Sequence, residues 1–461
     1  MADRWLYAWG LGSVSFGGAS LLVPLYVVQL GGTPVDLGIL FASATAIGAP
    51  GAILFGRFAD HVGHRRTLVL LTLAVVAGTL LLMPLLDRVH PIYVVNAALW
   101  FVVAAASPVV TMVLVADAAS DTWATRIGQL NTYQGYGWAG GLVLGTLWPV
   151  VGRPFLGAET ATRALFWLLA LCAAGAALLA ARNLPRPVHG EHVTNERARR
   201  RIGRLLAATG SGVKGATFAF MPNRLYWTTR GFRPRQLGRR LDPSMATYLL
   251  AAALFFVGFA AFWAPLPLFF SAVGFTPGQI FGLYLASSVA SAALYGGAGR
   301  LASRYDLRLL QAGALALRGL LFPVTALGAG IGALTLGFGV MGVLLAGIGG
   351  TWAVIAVVGT AIVTRLAPAS VRGEFLGIHT AMAAVAGGIG GILGGWIATA
   401  GYLVAFAVAG GLVVVGAALV VTLTALSGSR RLSAPADEPV VEAPTPVPTV
   451  ADRGTEPVDD A

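Results

Sequence analysis

Few side chains in this chain of 461 residues could carry chemistry, and most of those stand within long apolar runs or at their edges. Arg318 lies in the middle of one run, and His379 follows Glu374 by just over one helical turn at the start of another. A charge in hydrocarbon is costly, so each is a functional candidate by default. His379 is the histidine placed inside a run, and an ordinary pKa of about 6.5 suits proton exchange near neutral pH. Arg318 has two readings: an anchor for an anionic solute or a coupling charge, or a structural arginine paired to a neighbour or snorkelling toward water. Asp117, Asp121 and Arg126 gather between two further runs. Asn131, Gln134 and Trp138 recur at helical spacing, flanked by Tyr133 and Tyr136, which makes a face able to hydrogen-bond and stack against a solute.

Nothing in the residues points to catalysis. The six histidines are scattered, no two form a metal pair at helical spacing, and no glycine-rich phosphate loop follows a strand. Cys172, the one cysteine, can form neither an internal disulfide nor a cysteine-only metal site. No cofactor or metal is expected.

The elements that must position these groups follow from composition. With 57% hydrophobic and 11% charged residues, a water-soluble globule would lack polar surface. Apolar runs of about 20 residues, enough to cross a hydrocarbon core of about 30 Å as helix, recur along the chain. Six fall between Trp5 and Ala181 and six between Ala246 and Leu426. The first, Trp5 to Leu30, is too long for a signal-peptide core and is taken as a span. Sixty-one glycines suit helices that must approach closely in lipid. Gly137, Gly141 and Gly145, and likewise Gly387, Gly391 and Gly395, each line one helix face.

The chain therefore divides into residues 1–181, a basic loop 182–245, residues 246–426 and a tail 427–461 rich in proline and acid, which is too polar to fold. With the N-terminus inside, only Arg88, Arg153 and Arg163 fall on outer loops, so both termini and the basic loop are expected in the cytoplasm of a multi-pass cell-membrane protein. The net charge of +12 is thus a matter of topology and anionic lipid headgroups and not of nucleic acid. The loop itself either lies along the inner membrane surface or is a solvated linker.

Between spans two and three the chain reads GRFADHVGHRR, and between spans eight and nine GRLASRYDLRL, an internal repeat. Two glycines permit a tight turn there, and a carboxylate among basic residues can pair with a neighbouring helix end and release it. Gly56, Asp60, Gly63 and Arg65 fall on the loop signature of the major facilitator superfamily, which the chain resembles over essentially its whole length. His61 and His64 depart from that signature, and the second copy has Ser303 and Asp306 in place of Asp60 and Gly63.

The resemblance implies an all-α membrane protein with twelve transmembrane helices in two pseudo-symmetric six-helix bundles. It further implies a secondary transporter that moves a small solute by alternating access; the energy is expected from an ion gradient, protons first, or from the solute's own gradient, and a monomer is expected. Gly56, Asp60, Gly63 and Arg65 would form a conformational latch with Asp117, Asp121 and Arg126, the alternative being that Arg65 and Arg66 merely set topology. The cavity-lining spans of the family would add Tyr7, Asn96, Trp263 and Trp352 to the pocket candidates Asn131, Gln134 and Trp138, and each alone could also be packing or interfacial belt. His379, Glu374 and Arg318 are the coupling candidates. Leu142 and Ile392 stand where the family's antiporters carry proline, so import and export, including efflux, stay open. Two rivals from other classes are a transporter-like sensor signalling through its loop and tail, and a membrane-embedded lipid enzyme.

Overall fold

A computed structural model describes residues 4–45, 65–116, 122–184, 242–328, 334–368 and 372–426, and every regular element among them is helical. The helices are α1 (Trp5–Gln29), α2 (Pro34–Thr45), α3 (Arg65–Leu82), α4 (Val89–Ala116), α5 (Trp123–Leu156) and α6 (Ala158–Asn183). They continue with α7 (Pro243–Trp263), α8 (Pro277–Arg304), α9 (Leu307–Gly328), α10 (Leu334–Leu366), α11 (Arg372–Ala398) and α12 (Tyr402–Leu426). Hydrocarbon offers no partner to a backbone N–H or C=O, and a helix satisfies both within itself. Ten of the described helices are long and apolar enough to cross a membrane.

Three spans differ from expectation for physical reasons. The described part of α2 is short, and residues 46–58 of the expected span lie outside the described residues. At 34 residues α5 overruns its expected bounds, but Arg126, Asn131, Gln134 and Arg153 make it too polar to count among the ten. The seventh span is broken: α7 stops at Trp263, and a short helix, Leu266–Val273, resumes after Pro265, whose ring nitrogen has no hydrogen to donate. The basic loop 185–241, the tail, and the candidates Gly56, Asp60, Gly63, Asp117 and Asp121 lie outside the described residues.

Packing repeats along the chain. The contacts of α1 with α5 and α6, and of α3 with α4 and α6, have counterparts six helices later in α7 with α11 and α12, and α9 with α10 and α12. An arginine at the start of the third helix of each set grips the end of the sixth. Arg66 donates to the carbonyl of Ala181, and Arg308, buried and paired with Asp306 at 3.2 Å, donates to the carbonyl of Leu423 at 3.4 Å. A cation at a helix C-terminus satisfies carbonyls that have no partner in their own helix and meets the negative end of the dipole. Among the described residues, both copies of the loop repeat therefore end in the same kind of clamp.

Glycine sets how close these helices come. A Cβ on Gly137 would stand 2.0 Å from the carbonyl oxygen of Gly10, and one on Gly141 would stand 2.2 Å from that of Val14, so α1 and α5 touch backbone to backbone. In the second set, Gly390 and Gly394 bring α11 equally close to the carbonyls of Val257 and Ala261 on α7. Replacing Gly137 by Val should overpack this contact at a cost of about 1–3 kcal/mol or more. The expected result is a marked loss of monodisperse protein after mild heating, read by size-exclusion chromatography. Gly140→Ala, whose Cβ would meet Val14 at an ordinary 3.5 Å, should behave as wild type; equal loss in both would refute the backbone-contact account.

Candidate functional site

Helices from the two sets meet at one end of the bundle, where α2 and α8 begin and α5 and α11 finish. The same device starts α2 and α8. Thr33 and Asp36 bond reciprocally across the first turn of α2, with Asp36 N donating to Thr33 Oγ1 at 3.3 Å and Thr33 N donating to Asp36 Oδ2 at 2.6 Å. Thr276 and Gln279 do the same at α8, and a proline follows each threonine. This capping box fixes the entry angle of a helix. The first turns so fixed form two seams. On one side a Cβ on Gly395 of α11 would stand 2.4 Å from the Pro34 carbonyl, and one on Gly38 of α2 would stand 2.6 Å from that of Gly391. On the other, Gly278 of α8 faces the Thr146 carbonyl of α5, and Gly145 lies under the Phe281 ring. Asp36 also accepts a hydrogen bond from Tyr93 of α4, tying the start of α2 to its own set. The paired Thr-Pro steps were present in the sequence as a repeat, and they mark the seam that the glycine spacing alone does not.

Between the seams sits a small cleft of about 60 Å³, lined by Phe41, Asn96, Trp100, Trp263 and Tyr284 among others. Asn96 and Trp263, expected in the pocket, come together here from opposite sets. Asn96 Oδ1 accepts from Trp100 Nε1 at 3.1 Å, and the Trp263 ring meets Tyr284 edge-on at 5.1 Å. Trp138 joins from α5, with its ring 6.3 Å from Trp100, and Gln134 is buried one turn below it. Asn131 is half-buried on the same helix face. Tyr7 does not join them: its ring is 56% exposed and packs edge-on to Tyr133 at 5.0 Å.

The remaining candidates converge in the second set. A cavity of about 40 Å³, room for water and little else, is lined by Phe256, Gln311, Trp352, Thr360, His379 and Thr380 among others. His379 stacks on Tyr248 at 6.0 Å and meets Phe256 edge-on at 5.5 Å. Gln311 holds Tyr248 in turn through its amide. The Trp352 ring belongs to this cavity and also lies 5.8 Å from the Arg318 guanidinium. Glu374 lies on α11 near its start, and its side chain is outside the described residues. Gln311, Tyr248 and Phe256 were not among the expected residues. Gln311 was visible as an amide in an apolar run, seven residues and so two turns before Arg318 on one face of α9.

Arg318 itself is 1% exposed and faces protein on every side. Its guanidinium lies 4.3 Å from the Phe259 ring and 5.8 Å from Phe322, and Nη1 donates to the Ile348 carbonyl at 2.7 Å and to Thr351 Oγ1 at 3.3 Å. Burying a cation costs several kcal/mol. Ring faces return about 0.5–2 kcal/mol each and a charge-assisted hydrogen bond about 1.5–3 kcal/mol, so the cage roughly offsets that cost. The guanidinium thereby staples α9 to α10 behind Trp352 and does not line the cleft between the sets. In the first set, Arg126 of α5 donates to the Leu114 carbonyl at 3.3 Å, near the end of α4. Arg65 opens α3 half-buried.

The family model described as Major Facilitator Superfamily matches residues 8–353. The chain belongs to the major facilitator superfamily. Membership of this superfamily makes it a membrane transporter and not an enzyme. Solved superfamily-like structures agree in fold. A point mutant of the nucleoside transporter NupG matches with a TM-score of 0.68 at 15% identity, over 91% of this chain and 98% of that one. A bacterial homolog of the human lysosomal transporter Spinster, in an inward-facing and unoccupied conformation, matches at 0.64 and 12%, over 92% and 94%. No curated protein matches the chain in sequence.

For this superfamily member, Arg318→Lys keeps the charge and loses the flat face that stacks on three rings. A loss of stability of roughly 1–2 kcal/mol is expected, seen as a lowered unfolding temperature in detergent. An unchanged temperature would mean that the aromatic cage contributes nothing.

Proposed function

We propose that this superfamily member is a secondary active transporter of a small solute, with α1–α6 and α7–α12 forming two pseudo-symmetric six-helix bundles that rock about the Asn96, Trp100, Trp263 and Tyr284 cleft. One observation supports the reading above others: the two sets of helices meet in twin seams built from first turns with the same capping device, so one end can shut symmetrically. Arginine placement makes that end the outer one, with both termini and the basic loop in the cytoplasm of the cell membrane. No nucleotide-binding segment is in the sequence, so the energy is that of a gradient, and a proton gradient is the reading His379 supports. On the cytoplasmic side, Asp60 and Arg65, with Asp117, Asp121 and Arg126, serve as the opposing latch. Uptake and efflux profiling of a deletion strain identifies the cargo for flux measurements in vesicles.

Shutting and opening of the seam is testable. Gly395→Leu drives a side chain into the Pro34 carbonyl and should hold the outer end apart. Double electron–electron resonance across that end should lengthen, and solute flux should fall by roughly tenfold or more, as expected for a step that must complete in every cycle. Wild-type flux with a lengthened distance would remove closure of this seam from the cycle.

Coupling is tested separately. In vesicles, solute-driven proton movement is expected in the wild type and should vanish in His379→Gln, while solute binding persists. Unchanged protons moved per solute in the variant would exclude His379, and none in the wild type would exclude proton coupling.

A further inference from the structure

The largest of the described cavities between the two sets is separate from both sites above. It encloses about 300 Å³, at the lower edge of the range typical of ligand pockets, whereas the cleft and the His379 cavity hold about 60 and 40 Å³. Its lining is mostly apolar, with Leu22 and Leu25 of α1, Leu165 of α6, Trp148 of α5 and, from the second set, Phe275 and Phe281, and Gln29, Thr162 and Ser271 add neutral polar groups. Trp148 is held in place by donating from Nε1 to the Ala161 carbonyl at 2.7 Å. Arg153, in the last turn of α5, also lines it. That arginine is half-buried, and its guanidinium has no hydrogen bond or ion pair among the described residues. Arg163, one turn into α6, shows the contrast, because it is paired with both Asp87 and Glu159.

A half-buried cation with no counter-charge among the described residues, set in a mostly apolar chamber of ligand size, is complementary to a molecule with an apolar body and an anionic head. We propose that this chamber is a binding site for a small amphipathic anion, such as a carboxylate or phosphate on a hydrophobic body, and that its occupant locks the outer seam shut. The locking follows from construction. Ser271, Phe275, Pro277 and Phe281 belong to one set and the rest of the lining to the other, so the chamber is dismantled when that end opens. A ligand that binds one state alone shifts the equilibrium toward it. This second step rests on the rocking motion proposed above; the binding step does not.

The test uses 4-phenylbutyrate as probe and its neutral amide as comparator, titrated into the full chain in phosphatidylcholine nanodiscs. The acid should bind on the order of tenfold more tightly than the amide, the difference a charge-assisted bond makes. Arg153→Gln should erase that preference and Arg153→Lys should keep it. Thr162→Phe, which fills the chamber from α6, should abolish binding of both. Equal affinity of acid and amide for wild type, or an undiminished preference in a folded Arg153→Gln, overturns the site. Adding phosphatidylglycerol to the discs separates two sources of the same chemistry: displacement of the probe assigns the natural occupant to a lipid, and no displacement assigns it to a soluble anion, and either upholds the site. For the lock, spin labels at Phe155→Cys and Leu403→Cys, both exposed positions at this end, are introduced with Cys172→Ser. Saturating phenylbutyrate should enrich the shorter distance. An unshifted two-distance distribution overturns the lock, and a single distance in all conditions overturns the rocking reading while leaving acid-over-amide binding intact.

Discussion

In hydrocarbon, an apolar side chain gains nothing by leaving the lipid, so the force that gathers a soluble core is missing between membrane helices. Association then depends on how closely surfaces fit and on the few polar bonds that cross them. Among the closest fits are backbone-to-backbone approaches of Gly137 and Gly141 of α5 to α1, of Gly390 and Gly394 of α11 to α7, of Gly349 of α10 to α8, and of Gly38 and Gly395 across the seam of α2 with α11. Each glycine removes a Cβ that would otherwise stand within about a bond length or two of a carbonyl oxygen on the neighbouring helix. The helix axes, and with them the positions of every polar side chain in the cleft, follow from those approaches.

Polar groups inside such a structure must find partners within protein. The structure answers in two ways. Charges near the bundle ends grip helix C-termini, as Arg66, Arg126 and Arg308 do with the carbonyls of Ala181, Leu114 and Leu423. The one placed at mid-helix, Arg318, is wrapped by rings and bonded to a carbonyl and a hydroxyl. Of its two sequence readings the geometry favours the structural one, with an aromatic cage and α10 as partners in place of the lipid–water boundary. Its link to function is indirect, through Trp352, which shares the His379 cavity.

Much of this was legible in the residues. Spans show because about 20 consecutive apolar residues have few other uses, and the packing role of glycine showed in its four-residue spacing. What spacing could not give is the partner. Gly137 and Gly141 meet α1, but Gly145, next in the same series, meets Phe281 of α8. On α11, Gly391 and Gly395 face α2, while an interleaved pair, Gly390 and Gly394, faces α7. One stripe was read and the other was hidden beside it, because a helix rich in glycine carries more than one face without side chains. The pocket candidates show the same limit. Helical spacing placed Asn131, Gln134 and Trp138 on one face of α5, yet only the fold could join Asn96 to Trp263 from opposite sets, or leave Tyr7 outside.

The composition of the seams also bears on how readily they could part. A seam stapled by buried ion pairs would strand charges in a low dielectric on opening, at several kcal/mol each. Those described here are lined instead by glycine, proline, threonine backbone and the rings of Phe41 and Phe281, and the polar bonds nearby, Thr33 with Asp36, Asp36 with Tyr93 and Thr276 with Gln279, all stay within one set. Opening would therefore forfeit dispersion contacts that lipid tails or water can partly replace, and no hydrogen bond named above would break. Two packings separated by so small a difference are what a rocking cycle requires, since a small differential affinity for solute or proton is then enough to tip the balance. The capping boxes complete the argument. By holding their own first turns rigid while making no bond across the seam, they would let each set move as a body in the proposed cycle and the seam close to the same fit each time.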